Sequence, residues 1–323
     1  MRLIRRPRPG SHALSDGCVA TIGTFDGVHL GHQRIFDRVI EVAADRELPA
    51  LAFSFEPTPG EFFSRGTPPA RLTRFREKFT VLDELGLDCL FCPPFDARME
   101  AMEPQDFIDT LLVSALKVQH LVVGDDFRFA RQRRGGFEDL QAAGARHGFA
   151  VERFGSVTVD GQRVSSTGIR QALQAGELEL ARRLLGRYYQ MAGRVVGGKR
   201  LGTQLGFPTA NVRLKRRSSP LAGIFAVRVT GLPEGLVDGV ASLGVRPTVE
   251  GGGEPLLEVH LFDFNRDIYG DYISVDFVAK LRDEQRFPDL ESMTEQMHRD
   301  AARARDLLKR VAGGAGERLN RTD

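Results

Sequence analysis

Along the first half of the chain, short apolar runs alternate with segments whose apolar residues recur every three to four positions. The runs 19–23, 50–55, 89–95, 121–124 and 150–154 read as buried strands, and between them 33–45, 75–85, 104–117 and 137–147 carry the helical period. This alternation predicts a doubly wound parallel sheet, because parallel neighbours need a long crossover and the crossover helix covers the sheet. Two short helices follow, over 168–175 and 177–185, each ended by a glycine in the C-cap position, Gly176 and Gly186. After Gly186 the period changes. The runs 190–196, 224–231, 237–243, 256–264 and 272–280 are strand-like and separated by Gly, Pro and Asp clusters, the pattern of an antiparallel barrel or sandwich. An amphipathic helix over about 290–311 comes last, and a disordered tail is expected over 313–323. The 323 residues and 41% apolar content suit two cores.

In a doubly wound sheet ligands sit beyond the carboxyl ends of the strands, so the loops there hold the chemistry. After the first strand comes Gly23-Thr24-Phe25-Asp26-Gly27-Val28-His29-Leu30-Gly31-His32, a glycine-rich strand-to-helix turn. Such a turn aims backbone N–H groups and the positive end of a helix dipole at phosphate. His29 and His32, three residues apart at the helix mouth, share one face and can both donate to phosphate oxygens. Asp26 has two readings: an indirect Mg²⁺ ligand, or a residue that shapes the turn by bonding its own backbone. After the second strand Phe53-Ser54-Phe55-Glu56-Pro57-Thr58-Pro59 has two prolines that fix an extended loop. Beyond the fourth, Gly124-Asp125-Asp126-Phe127-Arg128-Phe129 leads into Arg131, Arg133 and Arg134, either phosphate ligands or a solvated loop. Beyond the fifth, Ser165, Ser166 and Thr167 are an N-cap signal, and Arg170, one turn into the helix, can pair with phosphate.

Composition narrows the classes. A net charge of +2 with 27% charged residues gives no global bias toward nucleic acid or anionic membrane. Trp is absent, and aromatic residues are sparse within the basic segments, against an RNA-binding reading. No run approaches the ~20 apolar residues of a membrane span, and the start of the chain has no apolar signal core, so a cytoplasmic protein is expected. Cys18, Cys89 and Cys92 are too few for a disulfide framework. Cys89 and Cys92 have redox or zinc spacing, but within an apolar run they read as buried strand cysteines. The stretch Gly193 to Lys199 satisfies Gly-x4-Gly-Lys. Arg200 nevertheless replaces the metal-binding hydroxyl, and Gly202, Gly206 and Pro208 forbid the helix a P-loop requires. It is a glycine-rich loop, able to fold over a nucleotide or merely to connect strands. Thr209 and Asn211, two apart in an extended segment, point to one side and either share a hard cation or form a polar strand edge.

Taken together, the loops identify a family. His-x-Gly-His alone is also similar to class I aminoacyl-tRNA synthetases, but their Lys-Met-Ser-Lys-Ser-like partner motif is missing. The combination of Gly-x-Phe-Asp-Gly-x-His-x-Gly-His, Phe-x-Pro-x-Pro, Gly-x-Asp-Phe-x-Phe and Ser-Ser-Thr-x-Ile-Arg resembles the adenylyltransferase domain of prokaryotic bifunctional riboflavin kinase/FAD synthetases. The second half carries Gly-x-Val-x-x-Gly, Gly206-Phe207-Pro208-Thr209-Ala210-Asn211, Gly244-Val245-Arg246-Pro247-Thr248 and Glu258 to Phe264, which resemble the riboflavin kinase signature. Thr58 and Ala130 depart from the pattern, standing where many relatives carry His or Gln and Gly.

The resemblance implies a Rossmann-like nucleotidyltransferase domain over 1–184 and an antiparallel β-barrel riboflavin kinase domain with a C-terminal helix over 185–312. Riboflavin, FMN and FAD are the implied substrates and products, with ATP as co-substrate and Mg²⁺ as cofactor. His29, His32 and Arg170 are the implied catalytic residues of adenylyl transfer, and Glu258 the base that takes the ribityl proton. Gly23, Phe25, Asp26, Gly27, Gly31, Ser166 and Thr167 would bind nucleotide in the first domain, and Gly197, Gly198 and Lys199 in the second. Phe55, Pro57, Pro59, Asp126, Phe127 and Arg246 would bind flavin, and Thr209 and Asn211 the metal. Small-molecule partners, no nucleic acid, no membrane, and a monomer or weak homo-oligomer are expected. The competing readings are a kinase with one activity and a flavin- or nucleotide-binding regulator.

Overall fold

The structure is a computed structural model that describes residues 1–5, 14–198, 206–246 and 254–319. Its contacts form two compact units, Met1–Pro69 with Thr73–Ser166, and Ala70–Leu72 with the chain from Thr167 onward. The short helices Ser166–Ala175 and Leu178–Leu185, read from sequence with the first half, thus lie almost wholly in the second unit. Leu178–Leu185 packs against barrel strands there.

The first unit is an α/β layer structure. Strands β1 (Arg2–Ile4), β2 (Cys18–Ile22), β3 (Ala50–Phe53), β4 (Cys89–Phe91), β5 (Val118–Gly124) and β6 (Ala150–Phe154) form one sheet in the order β1-β4-β3-β2-β5-β6. All its pairings are parallel. The chain leaves β2 toward β3 and β4 and returns on its other side to β5. The strand order therefore reverses at β2/β5, the place where open α/β sheets receive ligands. Strand β2 is buried throughout, as expected with apolar layers on both faces. The edge strand β1, three residues long and headed by arginine, gave no hydrophobic period to read. It is held by the register Arg2↔Cys89. The helix expected over 104–117 begins as Pro104–Phe107 and widens to a π-helix over Ile108–Ala115, with Leu116 N–H reaching the Leu111 carbonyl at 3.0 Å. The three cysteines are free and buried, and burial pushes the Cys18 thiol up to about 12.

After a two-strand hairpin, β7 (Thr158–Val159) and β8 (Gln162–Arg163), the second unit holds a closed antiparallel barrel. Its strands are β9 (Tyr189–Val196), β10 (Ala210–Arg213), β11 (Gly223–Leu232), β12 (Gly235–Arg246), β13 (Glu254–Leu261) and β14 (Tyr272–Arg282). The order is β10-β13-β12-β11-β14-β9, and pairing of β10 with β9 closes the ring. Leu257, Val259 and Leu261 point into the barrel core, so Glu258 and His260 take the outer face. The final helix, Leu290–Leu319, lies on that face, with Ala304 and Leu308 packed on Ala226, Phe262 and Val278. It continues past Val311, so residues 313–319 are helical where a disordered tail was expected. Gly313, Gly314 and Gly316 lower helix propensity by about 1 kcal/mol each, but the stretch has no proline to remove a backbone donor.

Candidate active sites

At the strand-order reversal, the helix Leu30–Asp45 begins with His29 as its N-cap. His29 Nδ1 accepts from the His32 N–H at 3.3 Å. The two imidazoles stack, with centroids 3.6 Å apart and planes 15° apart, and Phe25 stands edge-on to His32 at 5.2 Å. The sequence-predicted pair therefore forms one stacked unit at the helix mouth. The turn before it is strained: Phe25 and the β-branched Val28 have φ of 48° and 43°. A partner 47 residues away holds it, since Asp26 Oδ1 accepts from Thr73 N–H at 2.9 Å. Thr73 Oγ1 accepts from the Gly27 N–H at 3.0 Å, and Ser166 Oγ donates to the Asp26 carbonyl at 2.8 Å. Asp26 thus shapes the turn through a distant loop. Sequence reasoning passed over Lys78, whose side chain is only 3% exposed. Its ammonium donates to the Thr24 carbonyl at 2.6 Å and to Ser54 Oγ at 3.2 Å, tying the loop after β2 to the loop after β3. Its place in the amphipathic helix Phe75–Glu84 gave no sign of this.

Beside the turn opens a cavity of ≈ 470 Å³ lined by Ile22 to Thr24, by Phe55, Pro59, Asp126 and Phe127, and by Phe63, Phe95, Phe107 and Phe129. Of the predicted flavin contacts in this unit, four line it and Pro57 does not. Its aromatic walls and its place beside a phosphate-seeking turn fit a flat heteroaromatic ligand with a phosphate tail. Asp126 Oδ2 pairs with Arg163 at 2.8 Å. The arginine loop divides: Arg131 and Arg134 bind Glu103 on the surface, while Arg133 lines the cavity. Thr167 and Arg170 lie in the second unit, where Arg170 Nε donates to the Ala70 carbonyl at 2.8 Å.

The barrel builds its site differently. Cross-strand pairing sets Asn211 beside Glu258, Glu258 beside Ser242, Ser242 beside Ile224 and Ile224 beside Arg282, one row around the outer face. Directly paired residues of antiparallel strands share a face, so these side chains converge. Between this face and the final helix lies a cavity of ≈ 270 Å³, apolar at Ile224, Val240, Phe287, Met293 and Met297 and polar at Ser242, Glu258 and Glu284. A second cavity, of ≈ 440 Å³, is lined by Val195, Pro208, Ala210 and Phe264 to Tyr269. Thr209 lines both. Its neighbour Pro208 is held by His260, whose Nδ1 lies 2.9 Å from the Pro208 carbonyl.

Asn211 is 8% exposed, and its side-chain amide has no hydrogen-bond partner among the described residues. The backbone of Gly198 passes so close above it that any Cβ there would overlap the amide. A side-chain amide oxygen two residues from a threonine hydroxyl, on one extended segment, offers the kind of oxygen ligands a hard cation takes. The described residues contain no group of three or more His, Cys, Asp or Glu able to hold a metal, so a cation at Thr209 and Asn211 would need anionic oxygens from a phosphate ligand. Gly197 follows β9, and Lys199 lies outside the described residues. Arg246 ends β12 opposite Glu254. Arg282 joins barrel to helix through Asp300 at 2.8 Å.

Two family models match the chain, FAD synthetase over residues 11–168 and riboflavin kinase over residues 185–308. A bifunctional riboflavin kinase/FMN adenylyltransferase of Pseudomonas fluorescens is 48% identical over 310 residues, covering 95% of this chain and 98% of that protein. One of Escherichia coli (strain K12) is 47% identical over 308 residues, with 95% and 98% covered. A crystal structure described as a macrolide-efflux protein from Streptococcus pneumoniae matches with a TM-score of 0.79 at 27% identity, over 93% of this chain and 97% of that one. The relatives align with both units, and the two matched models correspond to the sheet site and the barrel site. The chain belongs to the bifunctional riboflavin kinase/FMN adenylyltransferase family.

Proposed function

We propose that this chain performs two ATP-dependent steps of flavin cofactor synthesis at two separate sites. In the barrel, riboflavin and ATP give FMN and ADP; in the parallel-sheet unit, FMN and a second ATP give FAD and pyrophosphate. The observation that carries the kinase half is Thr209, which lines both barrel cavities, with Glu258 on the wall of one of them. A flavin in the first cavity and a nucleotide in the second would meet at that residue. Glu258 would accept the proton of the ribityl 5′-hydroxyl as its oxygen attacks the γ-phosphorus and ADP leaves. Thr209 and Asn211 would hold Mg²⁺ together with the ATP phosphates. When bound, the ion neutralises charge on the phosphates. Gly197, Gly198 and Lys199 would cover the nucleotide, and Arg246 would reach the flavin.

In the sheet unit both reactants bring their own charge, and the FMN phosphate is itself the nucleophile. The protein's task is then alignment and neutralisation. His29 and His32 would donate to the ATP phosphates beside backbone N–H groups of the 23–27 turn, and Ser166 would help to stabilise the departing pyrophosphate. Phe55, Pro57, Pro59, Asp126 and Phe127 would hold the flavin. We place the functional boundary at 184/185 and the reaction in the cytoplasm, with no nucleic-acid or membrane partner and at most weak self-association. Among the described residues no helix is long and apolar enough to cross a membrane.

Pure protein incubated with riboflavin, ATP and Mg²⁺, followed by chromatography of the flavins, tests the reading. FMN and then FAD are expected, and chelation of the metal should stop both. Formation of neither flavin overturns the proposal, and FMN alone selects the kinase with one activity.

A further inference from the structure

The barrel cavity contains a second carboxyl group that the kinase chemistry leaves unused. Glu284 follows β14, and its carboxyl end lies flat against the backbone of Gly244, where any Cβ would overlap Oε1. It makes no hydrogen bond or ion pair with a described residue. The nearby cation is engaged elsewhere, since Arg282 bonds both oxygens of Asp300 and the Asp283 carbonyl. Gly244 stands two residues beyond Ser242 on β12, and Ser242 pairs with Glu258. At the rise of an extended strand this separates the rows of the two carboxyls by about 7 Å. Removal from water pushes the Glu284 carboxyl up, the Glu258 charge pushes it the same way, and Arg282 opposes both. Either oxygen of a carboxyl can accept a hydrogen bond from a ribityl hydroxyl.

The apolar wall of Ile224, Val240, Met293 and Met297 suits the flavin ring, which leaves the polyhydroxyl chain to run along the polar wall. We propose that Glu284 is a substrate-positioning residue of the kinase site, hydrogen-bonding a ribityl hydroxyl nearer the ring while Glu258 faces the reacting 5′-hydroxyl. This rests on the kinase reading above. It extends that reading by naming a residue that selects flavins bearing a polyol over the bare ring.

Steady-state riboflavin phosphorylation by the full chain, with Glu284→Ala and Glu284→Gln beside the unaltered protein, provides the test. For Glu284→Ala the riboflavin KM should rise about tenfold, the loss of one hydrogen bond, with kcat and the ATP KM within about twofold. Glu284→Gln, which keeps an acceptor oxygen at the same place, should restore most of the KM. Lumiflavin, which has the ring but no ribityl chain, should inhibit all three proteins equally. An unchanged riboflavin KM in Glu284→Ala overturns the proposal, as does a defect confined to kcat or the ATP KM. Failure of Glu284→Gln to recover, or a parallel loss of lumiflavin binding, does so too. An unaltered protein unable to phosphorylate riboflavin would instead refute the kinase reading itself.

Discussion

The two units use opposite construction rules for the same kind of ligand. In the parallel-sheet unit the candidate site lies past the strand ends, in loops whose shape is set by a helix N-terminus, a strained turn and buried tethers from Thr73 and Lys78. In the barrel it sits on the strands themselves, as one cross-strand row on the outer face, roofed by a helix. A loop site concentrates its functional residues in one contiguous run, but needs remote residues to hold that run in place. A strand-row site gets its rigidity from the ladder, and it draws its residues from four or five separate strands.

The comparison breaks first if the sites are not independent. Replacing His29 and His32 together with Ala should cut FAD formation by at least about 10²–10³-fold, as for loss of donors at a developing charge. FMN formation by the same preparation should continue. Loss of both reactions in a folded protein would mean one shared site. The reciprocal change is next in size. Glu258→Gln should lower FMN formation by about 10²–10⁴-fold, the usual worth of a positioned base. Supplied with FMN, that variant should still make FAD at the rate of the unaltered protein. If riboflavin phosphorylation survives, Glu258 is merely a half-buried strand residue.

These construction rules also explain what could be read from sequence alone. The doubly wound sheet was legible, apart from its edge strand β1, because the other five strands are apolar runs followed by unusual loops, and the 23–32 motif is contiguous. Its tethers were not. Thr73 lies 47 residues from Asp26, and Lys78 lies 54 from Thr24 and 24 from Ser54, and a lysine in an amphipathic helix looks like a solvated one. In the barrel the alternation of Leu257, Glu258 and Val259 gave the faces of β13 correctly, but only pairing through β10 and β12 puts Asn211, Glu258 and Ser242 side by side. Periodicity left barrel and sandwich open because the four-residue strand that closes the ring, Ala210–Arg213, is too short to show a period. Glu284 had no signal, since its meaning depends on the bare backbone of Gly244 beneath it.

Lys78 sharpens the comparison at intermediate size. Its charge-assisted bonds to Thr24 and Ser54 lie in the buried region where the loops after β2 and β3 meet. Lys78→Met keeps most of the volume and removes the donor. It should destabilise the sheet unit by about 1.5–3 kcal/mol and lower FAD formation while FMN formation persists. Thermal unfolding followed alongside both activities checks this. An unshifted transition with full adenylyl transfer would show that the turn needs no buried tether.

The smallest effect concerns how each unit meets a tight backbone requirement. The barrel places glycine where backbone meets the Asn211 amide and the Glu284 carboxyl, at Gly198 and Gly244. The sheet unit instead places Ala130, on the wall of its flavin-sized cavity, at φ 61° and ψ −168°. That region is nearly closed to residues with a Cβ, at a cost of about 1–3 kcal/mol. Ala130→Gly should recover this, less the roughly 0.5–1 kcal/mol by which glycine loosens the unfolded chain. The net gain of about 1 kcal/mol corresponds to about 3 °C for a unit of this size. Gln132, at φ 53° and ψ 24°, is an internal control, because the ordinary left-handed region is less costly for a side chain. Gln132→Gly should therefore stabilise less than Ala130→Gly. The reverse ranking in thermal unfolding would show that the Ala130 backbone carries no strain that glycine relieves.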